Sequence, residues 1–361
     1  MSTPAEGPEG LSIVTVVMNR LPHLKITAPR ISRCQAHREH LILDWSSDPP
    51  IQREHLPQDP RIRLLRVEGE PRWCLTRAYN FAIEMAQGPL ILKLDADCWL
   101  TEGEEGSPWW TLEPGTYQRS ATGGGLNGIV MIRREDFLAS GGFHEGLQGY
   151  GHDDKDLYAR LASSLECRFL PAGQLHTLEH GDQERVAGQR GLKGLGGVSP
   201  GRGVRRKGAS RLGGLEAIAR MEESKATNRR LAEAWPWSSS EPKTRYVPLG
   251  RDCWSAEVPS LPAGDPALVA EARALGTRVY LALLLGLPER FLDQQIPSHQ
   301  LEQVRSWTRF LRLQAWLRLL VLLPLLRQGL RLHSAWSRVW SRLGQRLGDL
   351  DAGPPRHEAS P

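Results

Sequence analysis

Cysteine is scarce in this chain, and the few present do not pair by pattern. Cys34, Cys74, Cys98, Cys167 and Cys253 are odd in number and include no C-x-x-C spacing. Neither a disulfide framework nor a zinc ribbon is expected, and a reducing compartment is the default. Long apolar runs are missing too. No stretch reaches the roughly 18 uninterrupted apolar residues of a membrane-spanning helix. Met1 to Gly10 is rich in Pro, Gly and Glu without an apolar segment, so no signal peptide is expected. Nor is there a large excess of one charge: +5 over 361 residues is too little to name a nucleic-acid partner. What is present is globular composition, 40% hydrophobic and 24% charged, with length for one large domain or two ordinary ones.

The first half alternates strand-like and helix-like segments. Leu11 to Met18 is a continuous β-branched run, as a strand buried on both faces requires. A helix is expected around His23 to His37. Leu41 to Leu43, ending at Asp44, and Ile62 to Val67 read as further strands. Leu75 to Ala86 has helical spacing and stops at Gly88-Pro89. Leu90 to Leu94 is a fourth strand and runs straight into Asp95-Ala96-Asp97. Asn127 to Arg133 reads as a strand, and Asp153 to Leu165 as a helix with an acidic first turn that suits its dipole. This rhythm predicts an α/β domain with a mainly parallel sheet. Ligands of such sheets bind beyond the carboxyl ends of the strands, where Asp44 and Asp95 are expected to converge.

The remainder divides by composition. Residues 1–10 form an N-terminal tail and 11–187 the α/β domain. Residues 188–214 are Gly-rich and basic, and read as a linker or loop. Residues 215–348 read as mainly helical, although Trp235 to Pro266 looks irregular, and 349–361 as a tail. Between Leu301 and Leu347 lie nine arginines and a single acid, Glu302, interleaved with Trp307, Trp316, Trp336 and Trp340. Basic faces with Trp and Leu suit helices lying on an anionic membrane surface, and equally an ordinary helical subdomain with a solvated arginine face. No nucleic-acid partner is expected.

Two acidic constellations carry chemistry. Asp95 and Asp97 flank one residue at a strand end, where one carboxylate can bind a ribose hydroxyl and the other a hard cation such as Mn²⁺ or Mg²⁺. An exposed acidic turn is the bland alternative. Gly149-Tyr150-Gly151-His152-Asp153-Asp154-Lys155-Asp156 gathers three carboxylates and a histidine after a Gly-rich turn. One carboxylate there can act as general base, or the group is merely an acidic helix cap.

Taken together, these segments resemble an inverting GT-A-fold glycosyltransferase of the family 2 type. The segment Gly123 to Leu161 is closer to the galactosyltransferase C-terminal domain. The resemblance rests on Ile13 to Val17 followed by Asn19-Arg20, on Asp44 with Ser46, Ser47 and Asp48, and on Arg77 with Asn80. It also rests on Asp95-Ala96-Asp97, Leu126-Asn127-Gly128, Gly141-Gly142-Phe143 and the block from Gly149 to Leu161. It covers residues up to about 185. It implies a GT-A (Rossmann-like) fold, a UDP-sugar donor and a carbohydrate or glycolipid acceptor. Asn19, Arg20, Asp44, Arg77, Asp95 and Asp97 would bind the donor, and Asp97 and His180 the metal. Tyr150 and Asp153 would bind the acceptor, and Asp154 would be the general base. His152 and Lys155 depart from the family pattern, which has an aromatic residue and an acid there. His176 is a weaker metal candidate than His180, and Trp109, Trp110 and the Gly123-Gly124-Gly125 run are possible liners of the site. A nucleotidyltransferase with a similar sheet, or a non-catalytic sugar- or membrane-binding protein, are the competing readings. The expected location is the cytoplasm, either free or peripheral on the inner membrane face.

Overall fold

A computed structural model describes residues 10–35, 37–101, 111–121, 126–170, 173–178, 211–259 and 270. All lie in the first of the two units into which the chain divides, residues 1–281.

The elements in chain order are β1 (Leu11–Val17), α1 (Leu21–Arg33), β2 (Glu39–Trp45), β3 (Ile62–Glu68), α2 (Leu75–Met85) and β4 (Leu90–Lys93). They continue with β5 (Cys98–Leu100), β6 (Thr116–Arg119), β7 (Val130–Arg133), α3 (Arg134–Ala139), α4 (Asp153–Leu161), β8 (Glu166–Phe169) and β9 (Leu175–Thr177). Last come α5 (Arg211–Ala234), β10 (Arg245–Gly250) and β11 (Cys253–Glu257). Nine strands form one sheet in the order β10-β11-β3-β2-β1-β4-β7-β6-β8, and β5 and β9 form a separate ribbon. The pairings β11–β3, β3–β2, β2–β1, β1–β4 and β6–β8 are parallel, and the others antiparallel. The α/β class with a mixed, mainly parallel sheet is thus the one expected.

Side-chain alternation sorts the core onto two faces. Val14, Val16, Leu41, Leu43 and Ile91 point to one side and pack with Ala78, Phe81 and Ile83 of α2 and with Phe137, Phe143 and Leu157. Leu11, Ile13, Leu90 and Leu92 point to the other side with Ile31 of α1, beside a cluster of Val17, Ile42, Leu24 and Ala28. The buried positions of α1 (Leu24, Thr27, Ala28, Ile31) recur at helical spacing and give it one apolar face. Every residue of β1, β2 and β4 is buried, because helices cover both faces of the central strands.

Three expectations change. The segment Trp235 to Pro266, read as irregular, contains β10 and β11, which extend the main sheet beside β3. Pro248 sits in β10 at the sheet edge, where a missing N–H is tolerated but the sequence signal for a strand is weak. Helix α5 starts at Arg211, inside the stretch read as linker, and α4 ends at Leu161 rather than Leu165. The five cysteines are free thiols. Among the described residues no helix is long and apolar enough to cross a membrane. The basic stretch from about 301, expected to be helical, and the expected tails 1–10 and 349–361 lie outside the described residues, except Gly10.

Candidate active site

Parallel pairing of β1 with β2 and β4 brings their carboxyl ends to one edge. Beyond β1, Asn19 adopts a left-handed conformation (φ 58°). Its side-chain oxygen accepts from Asp48 N at 2.8 Å, and its own N–H donates to Ser47 Oγ at 2.9 Å. The Arg20 carbonyl accepts from His23 N and Leu24 N at the start of α1. Asp44 is fully buried. Its carboxylate accepts from Ser47 N (2.9 Å) and Ile51 N (3.0 Å) and pairs with Arg66. Asp44 therefore shapes the loop after β2 from inside. Arg77 is not a solvated cation, its side chain being 11% exposed. Its guanidinium makes a two-pronged pair with buried Glu70 at 2.6 and 2.7 Å and lies 5.5 Å from the Trp45 ring centre. Asn80 is also structural. It bonds Phe143 through both backbone groups and Glu145 through its amide, which fixes the turn at Gly141-Gly142-Phe143.

Asp95 and Asp97 follow β4. The Asp95 side chain is about one-third exposed, and both of its hydrogen bonds fall on Oδ1: from Tyr79 Oη at 3.0 Å and Lys93 Nζ at 3.2 Å. The Asp97 carbonyl accepts from Leu178 N at 2.8 Å, so the end of β9 lies beside this motif. His176 belongs to β9, where its ring stacks on Trp99 at 5.2 Å between centroids and its Nε2 lies 3.2 Å from Thr101 Oγ1. It occupies a strand, committed to packing. His180, Trp109, Trp110 and Gly123 to Gly125 lie outside the described residues.

The second acidic group begins α4. Three left-handed positions, Gly149 (φ 79°), Gly151 (φ 81°) and His152 (φ 73°), fold the loop around Tyr150. Helix α5 secures it. Ser224 Oγ accepts from Tyr150 N at 2.7 Å, and Asn228 donates to the Gly151 carbonyl at 2.7 Å. The Lys225 ammonium lies 5.6 Å from the Tyr150 ring centre. Asp153 is buried, whereas the Asp154 side chain is 27% exposed, with its Oδ1 buried and accepting no hydrogen bond.

A residue that motif reading passed over joins the two groups. Lys93, with no exposed surface, donates to the Gly128 carbonyl at 2.6 Å and to Asp95, and lies 3.9 Å from Asp154 Oδ1. Its signal in the sequence was a lysine inside the apolar strand LILKL. Burial disfavours its charge, but Asp95, Asp154 and Asp153 outweigh burial and raise its pKa. Burial, then the neighbouring Asp153 charge, pushes Asp154 up to about 8 against the pull of Lys93; Asp153 is raised for the same main reason.

Divalent-metal chemistry fits the oxygen donors present. Asp97 and the Asp95 oxygen opposite Oδ1 are hard ligands of the kind Mn²⁺ and Mg²⁺ prefer. Among the described residues no three His, Cys, Asp or Glu side chains converge to hold an ion by themselves.

Comparison with known proteins places residues 114–181 in a match to a family model described as the N-terminal domain of galactosyltransferase. The match spans α4 and the Gly123 to Leu161 segment whose galactosyltransferase character was read from sequence, although the description names the N-terminal rather than the C-terminal domain. No curated protein sequence matches the chain. Among solved structures, a Drosophila β-1,4-galactosyltransferase 7 variant with manganese, UDP-Gal and xylobiose is 13% identical. It covers 49% of this chain and 73% of its own, with TM-score 0.35. The catalytic domain of the Drosophila enzyme with xylobiose is 9% identical, covering 73% and 98%, with TM-score 0.38. A mannosyltransferase from Pyrobaculum calidifontis with GDP-mannose and Mn²⁺ is 14% identical, covering 86% and 88%, with TM-score 0.41.

Proposed function

We propose that this protein is an inverting glycosyltransferase of the GT-A type. It moves a sugar from a UDP-sugar to an acceptor hydroxyl on a glycan or glycolipid and requires Mn²⁺ or Mg²⁺. The observation that carries this reading is the meeting of two carboxylate groups, Asp95 from a strand end and Asp154 from a helix start, at one buried ammonium. The galactosyltransferase match over the second group supports it.

In this mechanism Asp95 and Asp97 hold the ribose and the metal-bound diphosphate, with His180 as a further ligand. The metal, when bound, neutralises the charge that develops on the departing diphosphate. Asp153 and the face of Tyr150 orient the acceptor sugar. Asp154 takes the proton of the acceptor hydroxyl as that oxygen attacks the anomeric carbon. The bond from that carbon to the diphosphate breaks with inversion, and its electron pair leaves with UDP. A base with pKa near 8 is strong enough to accept that proton and still ionised in part at neutral pH. Asn19 and the loop shaped by Asp44 would receive the nucleoside, and Arg20 would lie at its edge. Arg77 acts at one remove, through Glu70.

The test is a screen of UDP-sugars for metal-dependent UDP release, followed by Asp154→Asn. The variant should bind UDP as the wild type does and transfer no sugar; normal transfer by it would sink the base assignment. The Arg- and Trp-rich stretch 301–347 supports a cytoplasmic enzyme held to the inner membrane face. Flotation with anionic liposomes at low salt tests that location, and failure to float refutes it.

A further inference from the structure

A charge inside a sheet covered on both faces is costly unless partners satisfy it. Lys93 is such a charge, fully buried on β4. An ammonium has three protons to place. One goes to the Gly128 carbonyl at 2.6 Å and one to Asp95 Oδ1 at 3.2 Å. Asp154 Oδ1 lies 3.9 Å away and accepts no hydrogen bond from any group. The ring of Tyr79 is 4.4 Å from the nitrogen. With no exposed surface, Lys93 touches neither donor nor acceptor.

We propose that Lys93 is a positioning residue that locks the acceptor-side carboxylate Asp154 against the donor-side carboxylate Asp95, so that sugar transfer depends on it far more than donor binding does. This rests on the glycosyltransferase reading above. The two carboxylates rely on Lys93 unequally. Asp95 Oδ1 keeps a second donor in the Tyr79 hydroxyl at 3.0 Å. Asp154 Oδ1 has no other cation beside it among the salt bridges of the described residues. Gly128 closes the arrangement. A Cβ on it would sit 3.0 Å from Lys93 Nζ and 3.0 Å from Asp154 Oδ2, so its backbone is wedged against both groups. Loss of the ammonium frees Asp154 to swing while Asp95 stays tethered.

The test uses the full chain labelled with ¹⁵N-lysine, as wild type and as Lys93→Met, Asp154→Asn and Asp95→Asn. A buried, hydrogen-bonded ammonium gives a slowly exchanging signal, identified by its loss in Lys93→Met. It should shift in both aspartate variants, which carry this arm even if Lys93→Met does not fold. In parallel, calorimetry measures UDP binding with Mn²⁺, and UDP-galactose with a panel of p-nitrophenyl glycosides measures transfer. Lys93→Met should alter the UDP Kd by less than about threefold and lower kcat by roughly 100-fold, the scale of misplacing a reacting group by about 1 Å. Ethylammonium should restore part of the transfer in Lys93→Ala, and uncharged propanol should not. An ammonium signal unmoved in Asp154→Asn, or equal losses of UDP affinity and kcat, overturns the proposal. If the wild type releases no UDP from any UDP-sugar, the glycosyltransferase reading fails, and the ammonium signal still decides whether Lys93 couples the two carboxylates.

Discussion

Replacing Asp154 by asparagine should make the metal-free protein more stable at pH 8 and no more stable at pH 4. Burial, then the Asp153 charge, pushes the Asp154 pKa up to about 8 in the folded chain. Unfolded, the carboxyl releases its proton near pH 4. Between those values each pH unit favours the unfolded state by about 1.4 kcal/mol, a ceiling of about 6 kcal/mol by pH 8. Asparagine removes the proton linkage but also the partial charge that Asp154 carries beside Lys93 by pH 8, at a cost of about 1–3 kcal/mol. The difference is a gain of about 3 kcal/mol at pH 8, or roughly 6–12 °C in Tm for a domain of this size. Below pH 4 both side chains are neutral in both states, and the variant should equal the wild type or fall slightly below it. Thermal melts in EDTA from pH 4 to 8.5 measure the gap. A gap constant across that range, or a wild type more stable at pH 8, would refute the reasoning.

Asp97→Ala should abolish metal-dependent UDP binding in calorimetry while leaving Tm within about 1 °C, because its side chain is partly exposed at a turn. Asn80→Ala removes three hydrogen bonds to Phe143 and Glu145 and should cost about 2–4 kcal/mol in urea unfolding; a loss under 1 kcal/mol would mean that water replaces the amide. Gly149→Ala places a Cβ 2.6 Å from Ser224 Oγ at φ 79°, and should lower stability by about 1–3 kcal/mol and weaken acceptor KM more than donor KM.

The sheet was legible wherever the chain is apolar on both faces. β1, β2 and β4 announce themselves because every residue in them is buried. Asp95 was legible for the same reason, as a carboxylate closing such a run. Lys93 was not, since only the folded chain shows that Asp154, 61 positions on, comes to its side. Arg77 looked like a free cation because its partner Glu70 lies seven residues earlier, across a turn. β8 was missed because it is short and its ends are exposed. Asn80 matched a family pattern without revealing its work, which is to bond Phe143 and Glu145 across distant loops.

The hairpin of β10 and β11 sets the order in which the molecule can mature. Cys253 and Trp254 pair with Arg66 and Val67, and Tyr246 stacks on Phe81 at 4.0 Å. Thr244 donates through its backbone N–H and its hydroxyl to Oε2 of buried Glu145, and Trp237 donates to the Gly141 carbonyl. A nascent chain therefore carries an uncovered β3 edge and a Glu145 with Oε2 unsatisfied until the hairpin has left the ribosome. Such long-range closure slows folding and leaves an edge open to pairing with other chains meanwhile. A fragment cut at the end of the galactosyltransferase-like segment, residue 181, would remain in that aggregation-prone state permanently.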